Sequence, residues 1–179
     1  MYHKIGLIVE GESDKRALKE IILKYGLRAE FGVCPGFSIR KIAKLGEMLK
    51  ESGCEKVIVL RDTECEERER KKEELKQEIN ELERKGMKVC FAQCELETWL
   101  LADEKAIESV TGVKMKEIAN PESIGNAKEK IKEIFRKKGA RLGYLAVEHA
   151  PKIAHKMNVE KLERKCASFK EFISTLKDL

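Results

Sequence analysis

Proline is nearly missing from this chain, at three residues in 179, and aromatic side chains supply only 6%. So little proline excludes a collagen-like or proline-rich linker chain, and 42% hydrophobic with 39% charged residues marks a helix-rich globular protein rather than a disordered one. There is no run of about 18 apolar residues of the kind that spans a bilayer. Met1-Tyr2-His3-Lys4 leads straight into a short apolar segment rather than a signal peptide, so no membrane partner and a cytoplasmic location are expected. Regular cysteine spacing is lacking as well. Cys34, Cys54, Cys65, Cys90, Cys94 and Cys166 do not form the dense framework of a secreted scaffold, which fits a reducing compartment. Cys90 and Cys94 make a C-x3-C pair, but a structural zinc site needs two further ligands; the plainer expectation for Cys90 is a small buried hydrophobe. Gly6 and Gly11 complete neither a Rossmann nor a Walker loop, so a conventional P-loop ATPase or NAD enzyme is not expected. His149 and His155 lack a partnered nucleophile and make no acyl-transfer site. Internal repeats, low-complexity stretches and flexible linkers are absent too, which leaves one domain with a helical extension.

What is present is unevenly distributed. The net charge is +5, and residues 120–179 carry 14 Lys or Arg against 8 Asp or Glu, whereas residues 1–119 carry 23 against 24. A basic surface on one part of a protein attracts polyphosphate backbones, although such lysines also serve as solvated helix faces.

The hydrophobic pattern alternates. Lys4–Val9 is a continuous apolar run, as in a strand buried on both faces of a parallel sheet, and stops at Glu10-Gly11-Glu12-Ser13-Asp14. Leu18, Ile21, Ile22 and Tyr25 then recur at helical spacing. A strand is expected over Arg28–Val33, followed after Cys34-Pro35-Gly36 by a helix with Ile39, Ile42, Ala43, Gly46 and Leu49 inward. A third strand, Lys56–Leu60, runs into Arg61-Asp62-Thr63-Glu64. A long charged helix follows from about Glu64 to Lys85, its charge read as a solvated face, and then a fourth strand, Met87–Ala92, runs into Glu95 and Glu97. Trp99 lies in an apolar helical turn and is expected in the core rather than as a base-stacking platform, and Asp103 should start a helix. Beyond it the pattern is helical: Asn120-Pro121 reads as a helix start, Ser168-x-x-Glu171 as a capping box, and only Leu142–Val147 suggests a strand.

Strand–helix alternation implies a mostly parallel sheet, whose ligands bind outside the C-terminal strand ends. Glu10, Asp62, Glu64, Glu95 and Glu97 all lie at or just past such ends. Carboxylates gathered there would repel unless a cation compensates them, and Mg2+ or Mn2+, facing a basic surface, suits metal-assisted phosphate chemistry. The competing reading treats these acids as surface turns and helix first turns.

A strand closed by Glu10-Gly11, a helix, and a later strand closed by Asp62-x-Glu64 resemble the TOPRIM domain of topoisomerases, DnaG-type primases and OLD-family nucleases. Glu97-Thr-Trp-Leu-Leu-Ala-Asp103 and the stretch from Pro151-Lys152-Ile153-Ala154 to Ser168-Phe169 resemble a group of small prokaryotic TOPRIM-like proteins, so the similar regions span nearly the whole chain. The resemblance implies an α/β TOPRIM-like (Rossmann-like) sheet flanked by helices over residues 1–110, with a helical C-terminal region, 111–179, packed on it. It implies a Mg-dependent nuclease or related phosphoryl-transfer protein acting on DNA or RNA. Glu10 would be the general acid/base or metal-linked glutamate, Asp62 and Glu64 the metal ligands, and Glu97 an additional or water-mediated ligand. Lys15 and Lys152 are the candidates for neutralising a phosphate. Glu64 stands where the family pattern has aspartate, which favours the alternative of a noncatalytic nucleotide- or nucleic-acid-binding module, part of a defence system. A protein partner or homo-oligomer is compatible with either.

Overall fold

In the computed structural model, which describes residues 4–137 and 143–178, the N-terminal apolar run forms β1 (Ile5–Val9), buried at every position. It is followed by α1 (Glu12–Leu23), β2 (Ala29–Val33), α2 (Ile39–Glu51) and β3 (Lys56–Asp62). Then come α3 (Arg68–Glu74), α4 (Lys76–Arg84) and β4 (Met87–Ala92). The four strands form one parallel sheet in the order β2-β1-β3-β4. Parallel pairing follows from the helical crossovers, and it puts the C-terminal ends of all four strands along one edge. The architecture is α/β with a four-stranded parallel sheet flanked by helices and a helical C-terminal part, consistent with a TOPRIM-like fold.

Alternate strand residues serve two apolar layers. Leu7, Val9, Ile58 and Leu60 face a large core with α1 and the C-terminal helices, while Ile8, Val57 and Val59 face a smaller one with α2 and Leu82 of α4. Gly46 lets α2 approach closely, because a Cβ there would stand 2.3 Å from the Met87 sulfur. The remaining helices are α5 (Leu96–Leu100), α6 (Glu104–Thr111), α7 (Ala127–Lys137), α8 (Ala146–Lys156), α9 (Val159–Lys165) and α10 (Ala167–Lys177). Trp99 is in the core, fully buried against Phe169 and Phe172 with ring centroids 5.1 and 5.5 Å away. Cys90 is likewise buried. No helix among the described residues is long and apolar enough to cross a membrane.

Several local expectations change. The long charged helix is two, broken at Leu75 (φ −94°, ψ 10°), and it begins at Arg68 because Glu64 and Cys65 hold positive φ values that no helix continues. Asn120-Pro121 opens a 3-10 turn, Pro121–Ser123, rather than α7. Ala146 opens α8, so the strand suggested over Leu142–Val147 is not formed where that stretch is described; Leu142 itself lies outside the described residues. The Ser168 capping box is replaced by tertiary bonds. The Ser168 hydroxyl accepts from Trp99 Nε1 (2.8 Å) and donates to Glu122, whose carboxylate also accepts from the backbone N–H of Ala167 (3.1 Å) and Ser168 (2.8 Å). Glu122 thus caps α10 from a distant segment, satisfying amides the helix leaves open, and Glu171 pairs instead with Arg68 at 2.7 Å.

Candidate acidic site at the sheet edge

Parallel pairing brings the strand-end acids to one edge. Glu10 follows β1 directly, Asp62 is the last residue of β3, and Glu95 and Glu97 follow β4. Asp14, in the first turn of α1, joins them and accepts a hydrogen bond from the Gly11 N–H at 2.9 Å. A cavity of about 10 Å3, lined by Val9, Glu10, Asp14, Phe37, Leu60, Asp62 and Leu96, opens between these ends. That is room for one water-sized particle.

Asp62 registers the crowding. Burial, then the charges of Asp14, Glu97, Glu10 and Glu95, push its carboxyl up to about 8 from the ordinary 3.8. Burial also raises Asp14, with Glu10 adding to it and the Gly11 hydrogen bond and Lys128 opposing it. Glu97, only 5% exposed, is raised by burial; Lys128 lowers it, and Glu95 and Asp14 push it up. Such groups favour the protonated form because the low-dielectric edge solvates their charge poorly and like charges repel.

The placement of the sequence candidates is selective. Glu10, Asp62 and Glu97 share this field. Glu64 does not: its positive φ turns the side chain outward, 77% exposed, toward Lys71 at 3.4 Å. Asp14 and Glu95 are instead among the acids whose charges act on Asp62. Lys15 pairs with Glu12 at 3.4 Å and Lys152 with Glu148 at 2.7 Å. The lysine whose charge acts on the carboxylates is Lys128, at the start of α7, with Nζ 3.6 Å from Glu97 and its backbone N–H donating to Glu95 at 2.7 Å. The acids at positions 14 and 95 were visible in the polar strand ends, but Lys128 gave no local signal, since 33 residues separate it from Glu95.

Tyr144 was equally hidden. Its ring packs on Phe135 (5.4 Å) and His149 (6.0 Å), and its buried hydroxyl lies in the field of Glu97 without completing a hydrogen bond. Burial, then Glu97, Asp14 and Glu95, hold its proton far more tightly than an ordinary phenol. The edge is also where the backbone is least relaxed. Phe37 (φ 44°), Glu64 (54°), Cys65 (66°) and Cys94 (62°) are the non-glycine residues at positive φ among those described, and all four lie at this edge. Left-handed backbone costs such residues on the order of 1–3 kcal/mol and concentrates at functional sites.

Among the described residues, no three His, Cys, Asp or Glu side chains form a group that could hold a metal ion. The donor chemistry is nevertheless that of a hard cation. Mg2+ is commonly bound by one or two carboxylates while keeping several waters, and the carboxylates beside the small cavity are those of Asp62, Asp14 and Glu10.

Fold and edge together define an α/β protein with an under-compensated acidic site at the C-terminal side of a parallel sheet. The chain belongs to the family described as Domain of unknown function (DUF4276), whose model matches residues 9–177. Its structure is similar to the C-terminal region of the Burkholderia pseudomallei OLD protein, with a TM-score of 0.51 and 14% identity over 98% of each chain. At that identity the likeness concerns the fold. No curated protein matches the sequence.

Proposed function

We propose that this protein is a Mg2+- or Mn2+-dependent nuclease or related phosphoryl-transfer protein of the TOPRIM-like kind, acting on DNA or RNA. The observation that carries the reading is Asp62, a carboxyl pushed to about 8 by burial and four neighbouring acids. A fold retains such a cluster at a cost, and a divalent cation removes that cost. The resemblance of Glu10-Gly11 and Asp62-x-Glu64 to TOPRIM motifs, and the fold shared with an OLD protein region, agree with it.

Asp62, with Asp14 and Glu10, would hold the ion. When bound, the ion supplies charge stabilisation for a phosphodiester oxygen and lowers the pKa of a coordinated water. Glu97, whose carboxyl burial raises above its ordinary range, is suited to hold or release a proton at its carboxyl oxygen. Lys128, beside it, adds the positive charge that a phosphate needs. A noncatalytic nucleotide- or nucleic-acid-binding module is the second reading, favoured by the outward turn of Glu64, which leaves the acidic pair incomplete.

One experiment separates them. Wild-type protein incubated with single- and double-stranded DNA and RNA in Mn2+ should cleave at least one, and Asp62→Asn should not cleave while remaining folded. Metal-dependent binding without turnover would select the noncatalytic module. No Mn2+- or Mg2+-induced rise in melting temperature would reject the metal site altogether.

A further inference from the structure

Cys65 and Cys94 are joined by a disulfide across 29 residues of sequence. Cys65 lies three residues past Asp62, and Cys94 immediately precedes Glu95, so the bond ties together the two turns that carry acids of the site. Hydrogen bonds already align these turns: the N–H of Thr63 donates to the Ala92 carbonyl (3.0 Å), that of Glu64 to the Cys94 carbonyl (3.0 Å), and that of Cys94 to Thr63 Oγ1 (2.8 Å). Reduction would leave that register in place and remove the covalent tie.

We propose that Cys65 and Cys94 form a reversible thiol–disulfide site, closed by a glutathione-type disulfide and opened by thiols, whose closure tightens the Asp62 turn against the Glu95–Glu97 turn. Its effect on cation binding rests on the metal-site reading above; the exchange chemistry does not.

The accessibility of the two sulfurs differs in the way exchange requires. Cys65 is exposed and Cys94 is 4% exposed, so an incoming disulfide meets Cys65 first. The Cys65 thiolate attacks it, forming a mixed disulfide and expelling one thiolate. The Cys94 thiolate then attacks the Cys65 sulfur and expels the second. One oxidant disulfide becomes two thiols, which take up the two protons, and two electrons pass from the cysteine pair. The open state is provided for as well, because the Cys65 sulfur lies 2.9 Å from the Gly125 carbonyl oxygen, an acceptor ready for its S–H. Cys34, Cys54, Cys90 and Cys166 are all buried, which confines the chemistry to this pair. In a reducing compartment, disulfides that do form are usually transient, catalytic or sensing.

The test poises the full-length wild-type chain in glutathione buffers from fully reduced to fully oxidised, quenches by alkylation and locates modified cysteines by mass. Cys65 and Cys94 should convert together. Mn2+ affinity, read by calorimetry in the same buffers, should be about tenfold weaker in the reduced form, within the usual range for coupled sites. Cys65→Ser should show the reduced-form affinity in every buffer. A pair that stays alkylatable under oxidising conditions, or one that converts without changing Mn2+ affinity, would overturn the proposal. If neither form binds Mn2+, the metal-site reading falls instead, and amide exchange of residues 62–66 and 93–97 decides this one: slower exchange in the oxidised form supports it, and equal exchange overturns it.

Discussion

Two regions of this molecule bury carboxylates, and they treat them in opposite ways. At the junction of α6 and α9, Asp103 and Glu104 are 4% and 8% exposed, yet each has a cation of the fold beside it. Lys161 Nζ lies 3.3 Å from Asp103 and also bonds Glu104, while Lys165 is 3.5 Å from Glu104 and 2.9 Å from Glu117. Burial pulls the Glu104 carboxyl upward, but Lys161 and Lys165 overcome it and leave it below the usual range. At the sheet edge, burial also pushes Asp62 up, but with four acids around it instead of lysines, and it ends far above that range. A buried acid paired within the fold is a structural lock. One left uncompensated favours its protonated form, and it is there that we propose a cation binds.

The contrast is most severely broken by removing the internal cation. Lys161→Ala strands Asp103 and Glu104 with partial compensation from Lys165, and should lower unfolding free energy by about 3 kcal/mol in urea denaturation at pH 7, the order seen when a buried pair loses one member. A change within error would show that the α6–α9 lock is not held by charge.

Asp62→Asn should do the reverse in metal-free buffer. Folded Asp62 keeps its proton to about pH 8, whereas the unfolded group loses it near 3.8. The folded state therefore binds the extra proton in that window, and wild-type stability falls as pH rises through it. The variant lacks this penalty. It should gain on the order of 2 kcal/mol over wild type at pH 9, allowing for the partial exposure of the group, and nothing from this source at pH 3. Urea denaturation at the two pH values checks this; an equal difference at both would exclude Asp62 as the crowded acid.

The smallest effect sharpens the comparison. Tyr144→Phe deletes a buried hydroxyl that faces Glu97 without a hydrogen bond of good geometry, so it should raise stability by about 1 kcal/mol rather than lower it. Ser168→Ala makes a useful control, because its hydroxyl serves Trp99 and Glu122 and its loss should destabilise. A destabilised Tyr144→Phe, measured by thermal unfolding, would mean that the hydroxyl is satisfied in solution.

The sequence by itself determined the elements and their order. β1, β3 and β4 appear as apolar runs, α1 and α2 as stripes at helical spacing, and Trp99 as core, because these signals depend on neighbours within one or two turns. It also placed Glu10, Asp62, Glu95 and Glu97 at strand ends, since strand–helix alternation dictates parallel pairing. What the tertiary structure alone decided is which of those side chains meet. Positive φ at Glu64 turned an acid outward that the Asp-x-Glu spacing had pointed inward, and the start of α1 brought Asp14 to the edge. Lys128, Tyr144 and the Cys65–Cys94 bond reached the site only through packing across tens of residues. Periodicity is local and survives in the one-dimensional pattern, whereas side-chain convergence depends on turn conformation and long-range packing, which that pattern does not encode position by position.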